Sequence, residues 1–453
     1  MTTFTQKGVT RPGVVLPRQL NYESKLLFHL RAADLLLGHD PLEDVAQAIT
    51  GEDPTFSRTT AGGYTRDALG FLQPWGKGIP RLKMYDLDGD GYWEEPGILL
   101  EGQRENGFTK SIELDDGAWT KTRASCGGAA VDVIEAPDGT ATADKLVEDG
   151  TAATTHLFTR NTPALTDDTQ QAFSLFAKAA ERSEIRCLLR QKDNTDASVW
   201  FDLSAGTVGT ISGSAVGLIE KYADGWYRCM IMADSANGGT TPTISIRLGS
   251  GGETASYNGD GASGAYFWGM QFEVDAAFPS SFILTAGAAV TRNADALTYT
   301  LATLGLTLDD LTDDFTVYAR IARPFHADAV GSIVADASLY QLSSSAALLE
   351  AYYDAASRVI EGQIDTATTD RTASQSVPSG AAIETTQQFR NLRTGGSLAV
   401  DVGSGLSAFS AAATAFSAFG DTTLTVGSGL YGALFELKVG RGLRTLKQMQ
   451  EAF

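Results

Sequence analysis

The stretch Gly264–Asp295, GAYFWGMQFEVDAAFPSSFILTAGAAVTRNAD, decides how the rest of the 453-residue chain is read. It begins as a strand: Tyr266, Trp268, Met270 and Phe272 lie two apart and belong to one pleated face, leaving Phe267, Gln271 and Glu273 on the other. That strand closes a β-domain. The sequence then turns small and polar, and Ser280, Ser281 and the run from Thr285 to Thr291 read as an extended connector before new strands begin near Leu297. The stretch is therefore a seam between two domains.

Composition agrees with that division. A chain of 453 residues is too long for one core and implies two or three domains, and 43% hydrophobic residues supply each with apolar material. The 48 glycines, with Thr and Ser spread between short apolar runs, favour strands and turns over helices. A net charge of −20 opposes nucleic-acid binding and attraction to anionic membranes, because phosphates are repelled. Cys126, Cys187 and Cys229 cannot all pair and form no CxxC motif, so buried free thiols are expected and structural zinc is not. The N-terminus MTTFTQKGVTRPG lacks the apolar core of a signal peptide, and no apolar run approaches the ~20 residues of a spanning helix. The expectation is a soluble protein made in a cytoplasm, without membrane insertion.

Upstream of the seam, strand patterns recur at Ala172 to Lys178, Ile185 to Arg190, Ser198 to Leu203, Trp226 to Ala233, Thr243 to Leu248 and Ala265 to Glu273, with turns such as Pro137-Asp138-Gly139 between them. That many strands close naturally as a two-sheet jelly roll over 106–290. Downstream, 296–453 reads as a second β-sandwich, with strands at Phe315 to Ile321, Gly331 to Val334, Ala346 to Tyr353, Arg358 to Ile364 and Leu430 to Val439, and a short helix from Leu443 to Ala452. Gly403 to Gly420 is low in complexity. Residues 1–105 form a loop-rich N-terminal region. Its Leu26, Leu27, Leu30, Ala33, Leu36 and Leu37 have helical spacing, and Pro41 starts a second short helix, PLEDVAQAI. The fold class is mostly β: two tandem sandwiches preceded by a loop-rich region with two short helices.

A collinear series of short pieces carries a resemblance. Phe56-Ser57-Arg58, Pro80-Arg81, Gly97 to Glu101, Arg104-Glu105-Asn106, Ala118-Trp119, Ala136 to Thr140, Ala143 to Leu146, Phe173 to Lys178, Asp224 to Arg228, the strand Gly264 to Glu273, Ser280 to Thr285 and Thr291 to Asp295 occur in order. Together they resemble the carbohydrate-binding-module-like domain of bacteriophage tail-fibre and minor-tail proteins; Glu105 stands where those proteins usually have Thr. The end of the chain, Leu430 to Val439 followed by Gly440-Arg441-Gly442, is similar to concanavalin-A-like and laminin-G-like sandwiches. The resemblance implies a virion protein assembled in the host cytoplasm, with residues 1–105 attaching it to other virion proteins and its sandwiches touching host surface glycans. A homo-oligomer, a trimer by first expectation, follows from that role. A capsid-decoration or head-fibre protein is the alternative, and a polysaccharide depolymerase a third reading.

Candidate site residues are few. Sugar-binding sandwiches stack an aromatic ring on a pyranose and hydrogen-bond its hydroxyls, which selects Trp119, Trp200, Tyr257, Asn258 and Asp260. Trp226 and Trp268 lie within strand alternation and read as core. Asp86, Asp88, Asp90 and Glu94 occur at spacings that can wrap Ca²⁺, but the twelfth position is Gly97 rather than a bidentate Glu, and a Gly-Asp-Gly turn is the plainer reading. For glycan cleavage, Glu273 and Asp275 are the best carboxylate pair, on alternate positions and hence one face, yet no third acid follows. His29, His39, His156 and His326 are isolated, and no HExxH, GxSxG or P-loop occurs. The chain reads as a non-enzyme.

Overall fold

The structure is a computed structural model that describes residues 26–31, 55–86, 92–300, 314–322, 337–343, 347–354, 359–366, 369–376, 382–390, 396–411, 423–427, 432–441, 443 and 445–450. The chain is mostly β, and its principal strands lie in two sandwiches.

In the sandwich nearer the middle of the chain, one sheet runs in spatial order Val216–Lys221, Trp226–Asp234, Gln170–Ala179, Gly264–Glu273, Asp144–Glu148 and Ala124–Ser125. The facing sheet runs Thr207–Ser212, Asp196–Asp202, Glu184–Arg190, Thr243–Gly249, Leu157–Asn161 and Thr120–Thr122. The alternation seen in sequence places Ile185, Cys187 and Leu189 against Phe173, Leu175 and Ala177 across the core, with Arg186, Leu188, Ser174 and Phe176 between them on the outer faces. The three cysteines are free and buried, as the lack of a pairing motif implied.

The defining strand departs from its expected alternation at one point. Gly269 has φ +66°, and the pairing with Gln170–Ala179 jumps from Ser174↔Gln271 to Phe176↔Trp268. This bulge changes the face of everything beyond it. Phe267, Met270 and Phe272 enter the sandwich core, while Tyr266 and Trp268 turn outward into a second cluster with Phe176, Trp226, Tyr222, Phe282, Leu72 and Tyr64. The sheet is thus apolar on both faces, and its outer face receives the hairpin Tyr64–Arg66 and Leu72–Pro74 together with the connector residue Phe282.

The other sandwich is assembled from distant pieces. One sheet orders Ser397–Asp401, Ala382–Arg390, Phe315–Ala322, Gly432–Arg441, Glu95–Leu100 and Arg81–Tyr85; the other joins Thr55–Ser57 and Ala296–Thr300 to five later strands. Residues 1–105 are consequently not a region apart: strands from this stretch complete both sheets of the second sandwich, and the jelly roll is inserted between Leu100 and Ala296. The backbones on either side of the insertion touch, with Asp295 N–H donating to Glu101 C=O at 2.9 Å.

The expected first helix is also corrected. Leu26–Arg31 is a strand, antiparallel to Gly432–Arg441 over Glu436–Gly440. Glu95–Leu100 covers only Gly432–Leu434 of that neighbour, and the remaining edge offers unpaired N–H and C=O groups that a local helix cannot use. The second expected helix, PLEDVAQAI, and the strand Gly331 to Val334 lie outside the described residues. The C-terminal helix is present over Leu446–Gln450 and packs Leu446 and Met449 beside Tyr318. The described part of the low-complexity segment runs along a sheet edge: Ser407 N–H donates to Val400 C=O at 2.8 Å and Ser410 N–H to Leu398 C=O at 2.9 Å.

Candidate functional site

The residues that carried the resemblance converge on the seam. Asp295 accepts from Arg58 Nη1 at 2.7 Å and from Arg81 Nη2, and its carboxylate also takes the Glu101 backbone N–H at 2.9 Å. Glu101 is bound by Arg81 at 2.6 Å and Arg292 at 3.3 Å, and it accepts from the Ser281 N–H at 2.9 Å and hydroxyl at 2.7 Å. All five charged side chains are essentially without solvent contact. Burial alone would raise the Glu101 carboxyl; the Arg292 and Arg81 guanidiniums and the Ser281 bonds outweigh it and hold the group well below the usual carboxylate range. Asn106 completes the set with no group left over, donating to the Met270 and Ile283 carbonyls and accepting from the Phe108 and Phe272 amides. The arrangement is a structural lock: every carboxylate in it is consumed by protein donors.

A second buried ion pair crosses the same junction. Lys83, from the second sandwich, meets Glu220, from the jelly roll, at 3.1 Å, and Arg66 bridges the Lys221 and Met84 carbonyls while lying over the Trp93 and Tyr222 rings. Burial depresses Lys83 and by itself raises Glu220, but Lys83, Arg66 and Arg228 together bring the Glu220 carboxyl down to about 2.

The sugar-contact candidates fare unequally. Trp119 is 1% exposed, packs edge-on to Phe108 and Phe158, and donates its indole N–H to the Lys110 carbonyl, so it is core and offers no ring face. Tyr257 is likewise buried: its hydroxyl bonds Glu148 at 2.7 Å, and the Arg182 guanidinium covers its ring. Asn258 and Asp260 are exposed, but their acceptors hold the loop, Asn258 taking the Ala153 N–H and Asp260 the Ala262 and Ser263 N–H groups. Asp260 lies close to Tyr257 through Glu148, which also accepts the Asp260 N–H. Trp200 lies elsewhere, on the outer face of the sheet containing Asp196–Asp202, beside Arg186, and it too is buried, at 7% exposure.

The metal candidates divide. Asp88 and Asp90 lie outside the described residues. Asp86 and Glu94 flank the connection between Arg81–Tyr85 and Glu95–Leu100, which pair as an antiparallel hairpin with Tyr85 opposite Glu95. At Gly97 a Cβ would come within 2.5 Å of the Ala433 Cβ, so strand packing excludes a ligand side chain at that position. Glu273 and Asp275 do not share a face. The strand ends at Glu273, whose carboxylate is buried and bonded by Gln271 and Ser280, while Asp275 is exposed at φ +51° in the following turn. Burial raises the Glu273 carboxyl despite Arg104 and these bonds.

One open cleft, about 560 Å³, lies at an end of the jelly roll and is lined by Asp168, Gln191, Asp193, Thr195, Ser214 and Asp234 among others. Its acceptors suit hydroxyl donors rather than anions. Sequence reading missed it because its walls come from separate turns.

These features define a class: a mostly β protein of two sandwiches locked by a buried ionic seam. No protein-family model matches the chain, and no curated protein matches it. Among solved structures, domains LG4-5 of the mouse laminin alpha1 chain are matched at a TM-score of 0.19 and 12% identity, covering 64% of this chain and 86% of that one. At that score the likeness carries no argument.

Proposed function

We propose that this chain is a bacteriophage virion protein, a tail-fibre, minor-tail or baseplate component that displays lectin-like sandwiches to host surface glycans and is not itself an enzyme. The observation that supports this reading is the convergence of the resembling pieces. Arg58, Arg81, Glu101, Asn106, Arg292 and Asp295 are scattered over more than half the chain, yet they build one buried lock between two sandwiches. A shared lock accounts for a collinear series of short matches better than chance does, because each residue is needed for the same joint. A rigid pair of sandwiches suits display on a particle, and several copies in a homo-oligomer would turn a weak single-site contact into avidity.

A purely structural role, in capsid decoration or as a head fibre, is the second reading, and the burial of Trp119, Trp200 and Tyr257 favours it by removing three sugar-stacking rings. The test is mass spectrometry and immunogold labelling of purified particles of the encoding phage, with glycan-array binding of the full chain. Label at the tail together with array binding is expected. Label on the capsid without array binding supports the second reading, and absence from particles overturns both.

A further inference from the structure

The outer face of the jelly-roll sheet that carries Trp200 has an unusual charge for this chain. Strand register sets Arg186 directly opposite both Trp200 and Arg247. Arg186 donates to the Ser198 hydroxyl at 2.8 Å and Arg247 to the Ser245 hydroxyl at 3.4 Å; among the described residues no carboxylate forms an ion pair with either. Two rows further on, past Leu188, Arg190 holds Asp196 in a two-pronged pair at 2.8 and 3.1 Å. Glu184, the acid on the other side, is already occupied by the Gly252 and Glu253 N–H groups. Two adjacent guanidiniums without an ion pair among the described residues therefore sit on a sheet face of a protein whose net charge is −20. Their mutual repulsion is felt in Arg247, which burial and the neighbouring Arg186 and Arg190 charges make less basic than an ordinary arginine.

We propose that Arg186 and Arg247 form a carboxylate-binding subsite for an acidic polysaccharide. This rests on the glycan-display reading above and names its ligand class. The Arg190–Asp196 pair shows how this face takes a carboxylate, with Nε and Nη2 meeting both oxygens; at Arg186 the same edge is held by the Ser198 hydroxyl, and a uronic-acid carboxylate reproduces the geometry by displacing that hydroxyl or by meeting the Nη1 side. The acidic cleft beyond Asp196 repels further anions and limits the carboxylate contact to the Arg186–Arg247 end. Nucleic acid does not fit, because a polyanion of that density meets the rest of an acidic surface.

The test is calorimetric titration of the full chain with hexagalacturonate and, as the neutral control, maltohexaose. Hexagalacturonate is expected to bind, to weaken with added salt, and to lose roughly tenfold or more in affinity in R186A/R247A. R186K, which keeps the charge and removes the fork, is expected to fall between the two; both variants should melt as the parent does. Equal hexagalacturonate binding by parent and double variant overturns the subsite. Binding of maltohexaose alone by both overturns it while leaving glycan display intact, and binding of neither oligosaccharide by the parent sinks the subsite. If virions lack the chain altogether, the display reading fails independently of this result.

Discussion

At the scale of single residues, the seam depends on charges that solvent reaches little or not at all. Glu220 is the clearest case for a pH measurement. Its carboxyl is depressed to about 2 in the folded chain and returns to roughly 4.3 when unfolded. The stability it contributes is therefore present above the unfolded value and lost as pH falls toward the folded one. Glu220→Gln is expected to lower stability by about 2 kcal/mol at pH 7, with partial exposure of the pair holding the figure below that of a fully buried one. Urea unfolding repeated between pH 7 and 2.5 should show that deficit shrinking below pH 4; a deficit independent of pH would mean that the ion pair is not its source.

At the scale of elements, one glycine governs which residues of the defining strand see the core. Gly269 combines a left-handed backbone with a Phe176 ring carbon 2.7 Å from where a Cβ would stand. Gly269→Ala is expected to destabilise by about 1–3 kcal/mol, read from the denaturation midpoint, and a neutral result would remove the bulge as a requirement. The N-terminal strand gives a second element-scale expectation. Removing residues 1–31 uncovers the Glu436–Gly440 edge of Gly432–Arg441, so the truncated chain should melt earlier and self-associate in size-exclusion chromatography. A truncated chain that stays monomeric with an unchanged melt would show that this strand contributes nothing.

For the whole molecule, the seam predicts that the sandwiches unfold together. Arg58 and Arg81 from one side, Asp295 at the crossing and Glu101 beside it leave no joint that opens without stranding a buried charge. Fluorescence and far-ultraviolet dichroism should follow one coincident transition in the parent. Asp295→Ala abandons two guanidiniums, and a loss of about 3–5 kcal/mol is expected, with two separated transitions as the sandwiches uncouple. Two transitions already present in the parent would mean that the seam does not couple them.

The sequence by itself determined the β class and the strands of the jelly roll, because alternation and turn chemistry act between near neighbours. Glu184–Arg190 and Thr243–Gly249 follow their sequence pattern to within a residue. Only pairing revealed that Arg186 and Arg247 stand side by side. What tertiary structure alone decided was everything set by a distant partner. Leu26–Arg31 has the spacing of a helix and is a strand because an open edge more than four hundred residues later needs its backbone. Trp119 and Tyr257 have the chemistry of sugar contacts and are core because Phe108, Phe158, Glu148 and Arg182 enclose them. Arg58, Arg81, Glu101 and Asp295 look like isolated surface charges in sequence. Burial becomes affordable for each only when the others arrive with opposite charge and matching hydrogen bonds, and that condition is met in three dimensions rather than along the chain.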